Sequence, residues 1–252
     1  MANLLTNEQI AEFHGNGYVI ARGFYSDEEV AKLQEKAFSD DSLYKNAWDK
    51  KDASGTVSKV SLWQDLGDDL YSLFPRGERM AKSAELLLDE PVFHTTTKIM
   101  MKEPLVGGAW EWHQDYGYWC YDNFHLYPKL LSVMIAINEA TEENGCLEVL
   151  KGSHHIGRID HSKTGDQKGA DLRSVEEALK YHELVKVELK PGDTLFFHCN
   201  LLHKSNQNRS ENPRWAMISA YCAESNKPYK ENSLIYRPLE TVSDEAILAY
   251  TE

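Results

Sequence analysis

The pattern of apolar and polar positions divides the chain into a helical first third and a strand-rich remainder. In the first third, Thr6 with Gln9 and Ser26 with Glu29 have the spacing of capping boxes, and apolar residues follow each pair at helical intervals. The pattern therefore predicts two helices, with a short strand at residues 18–20 between them. A third helical pattern runs over residues 71–88.

The remainder of the chain, beyond Pro91, alternates short runs of β-branched and aromatic residues with turn signals such as Asn144-Gly145 and Pro191-Gly192-Asp193. The predicted strands lie at residues 94–101, 130–138, 145–150, 184–189, 194–197 and 216–222. Many short strands at fairly regular spacing favour a sandwich or jelly roll over a parallel βαβ sheet.

Two polar segments have no clear periodicity. Residues 39–67 are expected to form a long loop or lid, and residues 158–177 a surface insertion. At 252 residues, the chain is expected to form one domain, residues 1–252. In this interpretation residues 1–90 are mainly a helical support, and residues 91–240 form the β core.

Composition narrows the class of protein. The chain has 27 basic and 40 acidic residues, a net charge of −13 with neutral histidines. So acidic a surface argues against binding to nucleic acid or to an anionic membrane. We see no signal-peptide pattern and no apolar run long enough to cross a bilayer, and the four cysteines form no CxxC pair. We therefore expect reduced thiols and a cytoplasmic location, while the sequence contains no indication of an oligomeric state.

Two histidines stand in informative surroundings. His113 and Asp115 are two residues apart at the end of a predicted strand, so their side chains project to the same side. His203 follows the predicted strand at 194–197 and is the best candidate for a third ligand. Two histidines and one carboxylate on one face of a metal leave positions open for a cosubstrate and O2, as in non-haem Fe(II) oxygenases.

Simpler interpretations exist for each of these residues. A histidine near an aspartate is more often a hydrogen-bonded pair than a set of ligands, and Arg214 could be a surface residue paired with Glu211 or Glu224. In favour of function, Arg214 and Ser205 both follow His203 closely, and a guanidinium beside a hydroxyl suits the distal end of a dicarboxylate. Zinc also accepts two histidines and a carboxylate, so a zinc hydrolase or a non-catalytic binding module stays an alternative.

Four stretches, in this order, resemble motifs of the phytanoyl-CoA dioxygenase family. They are His113-Gln114-Asp115, Asn144-Gly145-Cys146-Leu147, Lys151-Gly152-Ser153-His154, and Gly192-Asp193-Thr194-Leu195-Phe196-Phe197-His198 leading to His203-Lys204-Ser205. Lys151 stands where the family usually has proline. The family belongs to the Fe(II)- and 2-oxoglutarate-dependent oxygenases. The resemblance therefore implies a mainly β fold with α-helices, in which a double-stranded β-helix (jelly roll) is supported by N-terminal helices.

The resemblance also implies roles for individual residues. It makes His113, Asp115 and His203 the iron ligands and the catalytic centre. The residues implied to bind 2-oxoglutarate are Arg214 and Ser205 at the distal carboxylate, with Lys98 and Met134 as further contacts. Trp119 and Tyr116 follow the metal motif and are expected to contact the substrate, while Trp110 and Trp112 are expected to pack in the core. His198 is expected to be structural.

The implied reaction is the hydroxylation of an aliphatic C–H bond by O2, coupled to the conversion of 2-oxoglutarate into succinate and CO2. The carboxylate of Asp115 favours hydroxylation over halogenation, for which the family would have alanine or glycine at this position. We expect a small polar substrate, and amine-bearing compounds such as 2-aminoethylphosphonate are among the candidates. A lipid or acyl substrate, or a natural-product intermediate, is the alternative within the same chemistry.

Overall fold

A computed structural model describes residues 4–164, 166–230 and 238–251. Its strands are β1 Tyr18–Ala21, β2 Trp48–Lys51, β3 Val57–Trp63, β4 Val92–Lys102, β5 Trp110–His113, β6 Leu130–Ala136, β7 Leu147–Leu150, β8 His161–Thr164, β9 Gln167–Ala170, β10 Leu184–Val187, β11 Thr194–His198, β12 His203–Ser205 and β13 Arg214–Ala223. Its α-helices are α1 Asn7–Asn16, α2 Asp27–Ser39, α3 Asp41–Lys45, α4 Leu70–Arg76, α5 Glu78–Leu88, α6 Tyr116–Asp122, α7 Leu172–Tyr181 and α8 Glu245–Ala249.

The strands form two sheets and a hairpin. The major sheet has the order β1-β11-β6-β13-β4-β3-β2, the minor sheet has the order β10-β7-β12-β5, and β8 pairs with β9. All of these pairs are antiparallel. The two sheets form the double-stranded β-helix that the resemblance implies, so the predicted fold class is confirmed.

Both faces of the major sheet are covered, which explains why every residue of β6 is buried. Val133 and Ile135 pack with the helices on one face, whereas Met134 and Ala136 face the minor sheet. This alternation follows from the period of two along a strand. The inward face of the major sheet is therefore available to line a site between the sheets.

The helices on the outer face begin where the sequence predicts. Thr6 and Gln9 form a complete capping box at α1, and Ser26 and Glu29 form one at α2. The predicted helix at residues 71–88 is divided into α4 and α5. Gly77 separates them because its backbone leaves the helical conformation there, at φ −55° and ψ 138°.

Two segments contain more regular structure than the sequence predicts. Residues 39–67 are not one long loop, because β2 and β3 extend the major sheet and α3 precedes them. β3 escapes detection because buried serines interrupt its apolar pattern, and Ser58 satisfies its hydroxyl by donating to the carbonyl of Gly108 at 2.8 Å. β2 escapes detection because it is mostly exposed and polar. Residues 158–177 hold the β8–β9 hairpin and most of α7, and β9 packs against β5.

Two further observations bear on the class of protein. In the described ranges, no helix combines the length and the apolar character that a membrane span requires. All four cysteines, Cys120, Cys146, Cys199 and Cys222, are unpaired thiols. The thiols agree with the sequence-based expectation, while the cytoplasmic location stays a prediction.

Candidate functional site

Two histidines meet on neighbouring strands of the minor sheet. His113, the last residue of β5, is the register partner of His203, the first residue of β12, and their ring centroids lie 4.0 Å apart. Asp115 follows at the start of α6, with its Oδ1 at 3.7 Å from Nε2 of His113 and 4.0 Å from Nε2 of His203. All three side chains are buried, and one ligand atom from each lies within 4.8 Å of the others. The predicted triad is therefore brought together.

The two imidazoles present their Nε2 atoms to the common centre. In each ring Nδ1 donates to a backbone carbonyl, that of Glu111 at 2.7 Å for His113 and that of Leu201 at 2.8 Å for His203. Burial lowers the pKa of both histidines below the ordinary value, so both are neutral at pH 7. Neutral imidazoles whose second nitrogen is fixed by a backbone carbonyl are the usual state of histidine metal ligands.

Both oxygens of the Asp115 carboxylate accept hydrogen bonds. Tyr118 donates to Oδ1 at 2.7 Å, and Ser132 donates to Oδ2 at 2.6 Å. Burial raises the pKa of Asp115, but the nearby His203, Lys98 and His113 and the hydrogen bond from Ser132 outweigh it and lower the pKa to about 2. Asp115 is therefore an oriented carboxylate at neutral pH.

Gln114, between the two ligands, ties this segment to its surroundings. Its side-chain amide donates to the carbonyls of Gly157 and Asn200, both at 2.7 Å, and accepts from the backbone N–H of Ile159 at 2.7 Å. Its backbone N–H donates to Nε2 of His161 at 2.9 Å. The residues around the β8–β9 hairpin thus hold the ligand-bearing turn, a role that no local sequence signal indicates.

A cavity opens beside the triad, between the two sheets. Arg214 lines this cavity, and so do the six other residues predicted to bind the metal or the cosubstrate. These six are His113, Asp115, His203, Lys98, Met134 and Ser205. Met100, Trp110, Leu147, Phe197 and Ile218 complete the wall. The structure therefore gathers all of the predicted iron and 2-oxoglutarate residues around one space.

Arg214 lies at the inward face of β13 and is only 1% exposed, which excludes the surface pairing considered above. One terminal nitrogen donates to the carbonyl of Gly145 at 2.7 Å, and Nε has no hydrogen-bond partner in the described structure. Burial lowers the pKa of Arg214 to about 10, so it still carries its charge at pH 7. A buried cation with a free donor in a cavity suits a carboxylate ligand.

The Asn144-Gly145 motif explains how the arginine is held. Gly145 has φ +78°, which presents its carbonyl to Arg214. A Cβ at this position would lie 2.2 Å from the carbonyl oxygen of Asn206, so only glycine fits the turn. In the next motif, Ser153 accepts a hydrogen bond from the backbone N–H of Leu202 at 2.9 Å, and this fixes the residue before His203.

The predicted substrate residues are not those that the structure brings to the cavity. The ring of Tyr116 packs against Leu130, Cys199 and Cys222, and its hydroxyl donates to the backbone carbonyls of residues 125 and 126. Trp119 packs against the same cluster, one helical turn away on α6. Neither residue is among those that line the cavity, and their contact with a substrate stays a prediction.

Two other aromatic residues lie near the triad. Tyr118 donates to Asp115, and Trp110, which packs against the inner core cluster as expected, also lines the cavity. Trp110 lies three residues before His113, a spacing that predicts opposite faces of β5, but a register shift between the pairs His203–His113 and Ser205–Trp110 brings both side chains to the cavity. The expectation for His198 agrees with the structure, where its Nδ1 accepts from the backbone N–H of Asn200 at 3.0 Å.

The chain is similar to known proteins over most of its length. The sequence model of the family described as Phytanoyl-CoA dioxygenase (PhyH) matches residues 13–216. L-proline trans-4-hydroxylase from Streptomyces griseoviridis is 27% identical over 220 residues, which cover 81% of this chain and 81% of that protein. A probable alpha-ketoglutarate-dependent hypophosphite dioxygenase from Stutzerimonas stutzeri is 30% identical over 234 residues, covering 86% and 78%.

A solved structure supports the fold assignment. The crystal structure of EctD from S. alaskensis with 2-oxoglutarate and 5-hydroxyectoine superposes with a TM-score of 0.75 at 24% identity. The superposition covers 96% of this chain and 89% of that chain. The similarity therefore extends over both sheets and the supporting helices.

Proposed function

Because the chain belongs to the phytanoyl-CoA dioxygenase family and is an iron- and 2-oxoglutarate-dependent dioxygenase, we propose that it hydroxylates an aliphatic C–H bond of a small polar metabolite. One observation carries the proposal. A single cavity is lined by His113, Asp115 and His203 and also by a buried arginine that is free to bind an anion.

The triad fits an iron ion by the chemistry of its donors. Two neutral imidazole nitrogens and one ionised carboxylate oxygen, all buried, are the donor set that non-haem Fe(II) oxygenases use. When bound, Fe(II) with 2-oxoglutarate and O2 supplies the oxidising power for C–H hydroxylation, and succinate and CO2 are released. The contribution of the chain is to hold the ligands, to orient both organic molecules and to exclude water.

We assign the cosubstrate to the wall formed by Arg214, Ser205, Lys98 and Met134. The free Nε of Arg214 would donate to the distal carboxylate of 2-oxoglutarate, with the hydroxyl of Ser205 as a second donor. Lys98, on the same inward face of β4, would act on the keto-acid end through its positive charge. In the described structure, no carboxylate forms an ion pair or a hydrogen bond with the donor groups of Arg214, Ser205 or Lys98, so these groups are available to the cosubstrate.

The position of the cavity favours a small substrate. The space between the two sheets must hold the cosubstrate as well as the reacting part of the substrate. Trp110 adds an aromatic wall, which suits an amine through cation–π attraction. The names of two relatives, an L-proline hydroxylase and a hypophosphite dioxygenase, also indicate small polar substrates for those proteins. An amine-bearing compound such as 2-aminoethylphosphonate is therefore our preferred candidate.

Two of the alternatives considered above lose their support. A zinc hydrolase needs no anchor for a dicarboxylate, whereas Arg214 is fully buried beside Ser205 in the same cavity. A halogenase needs room for a halide at the position that the Asp115 carboxylate fills here. Both oxygens of this carboxylate accept hydrogen bonds, which hold it in that position. Hydroxylation of a larger acyl substrate stays the alternative to a small polar substrate, and the experiment below distinguishes the two.

The test is a substrate screen with succinate release as the measurement. The iron-loaded protein is incubated with 2-oxoglutarate, O2 and one of L-proline, ectoine, hypophosphite, 2-aminoethylphosphonate or phytanoyl-CoA. We expect a small polar compound to stimulate succinate release above the rate without substrate. Stimulation by phytanoyl-CoA alone would favour the acyl alternative. If no added compound stimulates release and 2-oxoglutarate is not consumed in its absence either, the proposed reaction is wrong.

A further inference from the structure

Lys102, the last residue of β4, is a lysine that the proposed function has not yet used. Its side chain is 0% exposed. It lies on the same inward face of β4 as Met100, two residues earlier, which lines the cavity. The loop that follows closes over it, since a Cβ on Gly107 would lie 2.8 Å from Cβ of Lys102. A lysine in so dry a place needs a physical reason.

The nearest strand adds a second positive charge. Arg214 is the register partner of Lys102 in the β13–β4 pair, and it is 1% exposed. Like charges directly opposite each other on antiparallel strands destabilise a sheet, and burial makes the repulsion larger. The charge of Arg214 lowers the pKa of Lys102 further, after burial itself, which lowers it most.

The acidic groups that act on Lys102 are engaged elsewhere. They are Asp52 and Glu148. Asp52 accepts from the backbone N–H of Ala109 at 2.8 Å, and Glu148 pairs with Lys204 at 3.1 Å. In the described residues, no carboxylate forms an ion pair with Lys102 or with Arg214, so this end of the cavity has two buried basic side chains and lacks a direct counter-ion.

Ser205 connects Lys102 to the cavity. Nζ of Lys102 donates to Oγ of Ser205 at 2.7 Å and also donates to the carbonyl of Asn206. Because a lysine can only donate, Ser205 accepts in this bond and keeps its own proton available. In the structure as described, that proton has no acceptor, and Ser205 lines the same cavity as Arg214.

We propose that Lys102 is a positioning residue for the distal carboxylate of the 2-oxo acid, acting through the hydroxyl of Ser205. The inference rests on the proposed function. In this arrangement Arg214 and Ser205 touch the carboxylate, while Lys102 orients the serine proton toward it. The carboxylate in turn supplies the counter-ion that Arg214 lacks among the described residues. Lys102 thereby selects a 2-oxo diacid over a 2-oxo monoacid.

A purely structural role makes a different prediction. If Lys102 served only to tie Asn206 and Ser205 to β4, its loss would loosen the cavity for every 2-oxo acid alike. A pair of ligands separates the two roles. 2-Oxopentanoate has the same chain length and keto-acid end as 2-oxoglutarate but has a methyl group in place of the distal carboxylate.

The experiment measures binding of both acids by calorimetry to the Mn(II)-loaded protein, so that no turnover is involved. The test variant is Lys102→Met, which keeps the length of the side chain without its charge. Lys204→Met is the matched control, because Lys204 is on the same strand as Ser205 but on its other face, paired with Glu148. The circular dichroism spectrum and the metal affinity of each variant establish that it is folded.

For Lys102→Met we expect the Kd for 2-oxoglutarate to rise by about tenfold or more, and that for 2-oxopentanoate to stay unchanged. The loss should not add to that of Ser205→Ala, because both act on the same carboxylate. If Lys102→Met does not fold, Lys102→Gln, which retains a donor for Ser205, should show a smaller loss with the same ligand selectivity.

Three results would overturn the inference. Equal losses for the two acids would indicate a structural role, and unchanged 2-oxoglutarate binding would show that Lys102 does not act on the carboxylate. A loss for Lys204→Met equal to that for Lys102→Met would show a general effect of charge. If the unaltered Mn(II)-loaded protein binds neither acid, the proposed function fails as well, and this outcome is distinct from the other three.

Discussion

Tyr118 donates a 2.7 Å hydrogen bond to Oδ1 of Asp115, the same oxygen that lies 3.7 Å from Nε2 of His113. The ring of Tyr118 also stacks on that of His113, with centroids 6.0 Å apart and an angle of 17° between the planes. One side chain thus restrains two members of the triad. Hydrogen bonds to metal ligands of this kind orient them before the metal arrives.

We therefore expect Tyr118→Phe, which keeps the ring but removes the hydroxyl, to weaken Fe(II) or Mn(II) binding by about tenfold. Calorimetric titration of the metal measures the change. Tyr121→Phe is the matched control, because Tyr121 is on the same helix and 60% exposed. Equal metal affinity of Tyr118→Phe and the unaltered protein would show that the hydrogen bond is not used.

Asp115→Ala should remove the only anionic member of the triad. We expect metal affinity to fall by at least about a hundredfold and hydroxylation to be abolished, because two neutral imidazoles alone bind Fe(II) weakly. Metal titration together with succinate release measures both effects, with the exposed Asp41→Ala as control. Turnover at the unaltered rate would remove Asp115 from the ligand set.

Arg214→Met should act on the cosubstrate and leave the metal affinity intact. Loss of one partner from a buried, hydrogen-bonded charge pair costs about 2–5 kcal/mol, so the Kd for 2-oxoglutarate should rise by about thirtyfold or more. Arg173→Met, an exposed arginine on α7, is the control. An unchanged Kd for 2-oxoglutarate would contradict the assignment of Arg214 as the residue that binds its distal carboxylate.

The stability of the protein should depend on pH through His94. Burial lowers the pKa of His94 from 6.5 to about 4, and the side chain is 8% exposed. Between these values the unfolded chain binds a proton that the folded chain does not, so stability is complete above pH 6.5 and falls as the pH drops toward 4. The change corresponds to about 3 kcal/mol.

His94→Gln isolates this contribution, because glutamine retains a partner for Thr97, 2.7 Å from the imidazole, but does not titrate. Thermal unfolding of both proteins at pH 7, 6, 5 and 4 should show a smaller loss for the variant. His14→Gln, at an exposed position on α1, serves as the control. Parallel pH profiles for His94→Gln and the unaltered protein would contradict the assignment.

Much of the fold follows from local rules that the sequence contains. The capping boxes at Thr6 and Ser26 set the starts of α1 and α2, and β-branched runs mark β4, β6 and β13. The divided helix at Gly77 and the strands within residues 39–67 were missed. In the first case a tertiary contact intervenes, since the backbone N–H of Glu78 donates to the carbonyl of Val242 at 3.0 Å and the N–H of Val242 donates to the carbonyl of Arg76 at 2.9 Å. In the second case buried serines hide the pattern of β3, and β2 is mostly exposed.

The sequence by itself determined which residue types are available for the chemistry: two histidines, a carboxylate, an arginine and a serine in an order that matches the family. Only the tertiary structure decided which aromatic side chain of α6 reaches the triad. Tyr116, Tyr118 and Trp119 are close in sequence, but the helical turn of α6 sends only Tyr118 to Asp115. Nor does local sequence show that Lys102 meets Ser205, because that contact joins residues 103 positions apart. Side-chain direction and long-range pairing depend on how the sheets and helices pack, and local patterns do not encode that packing.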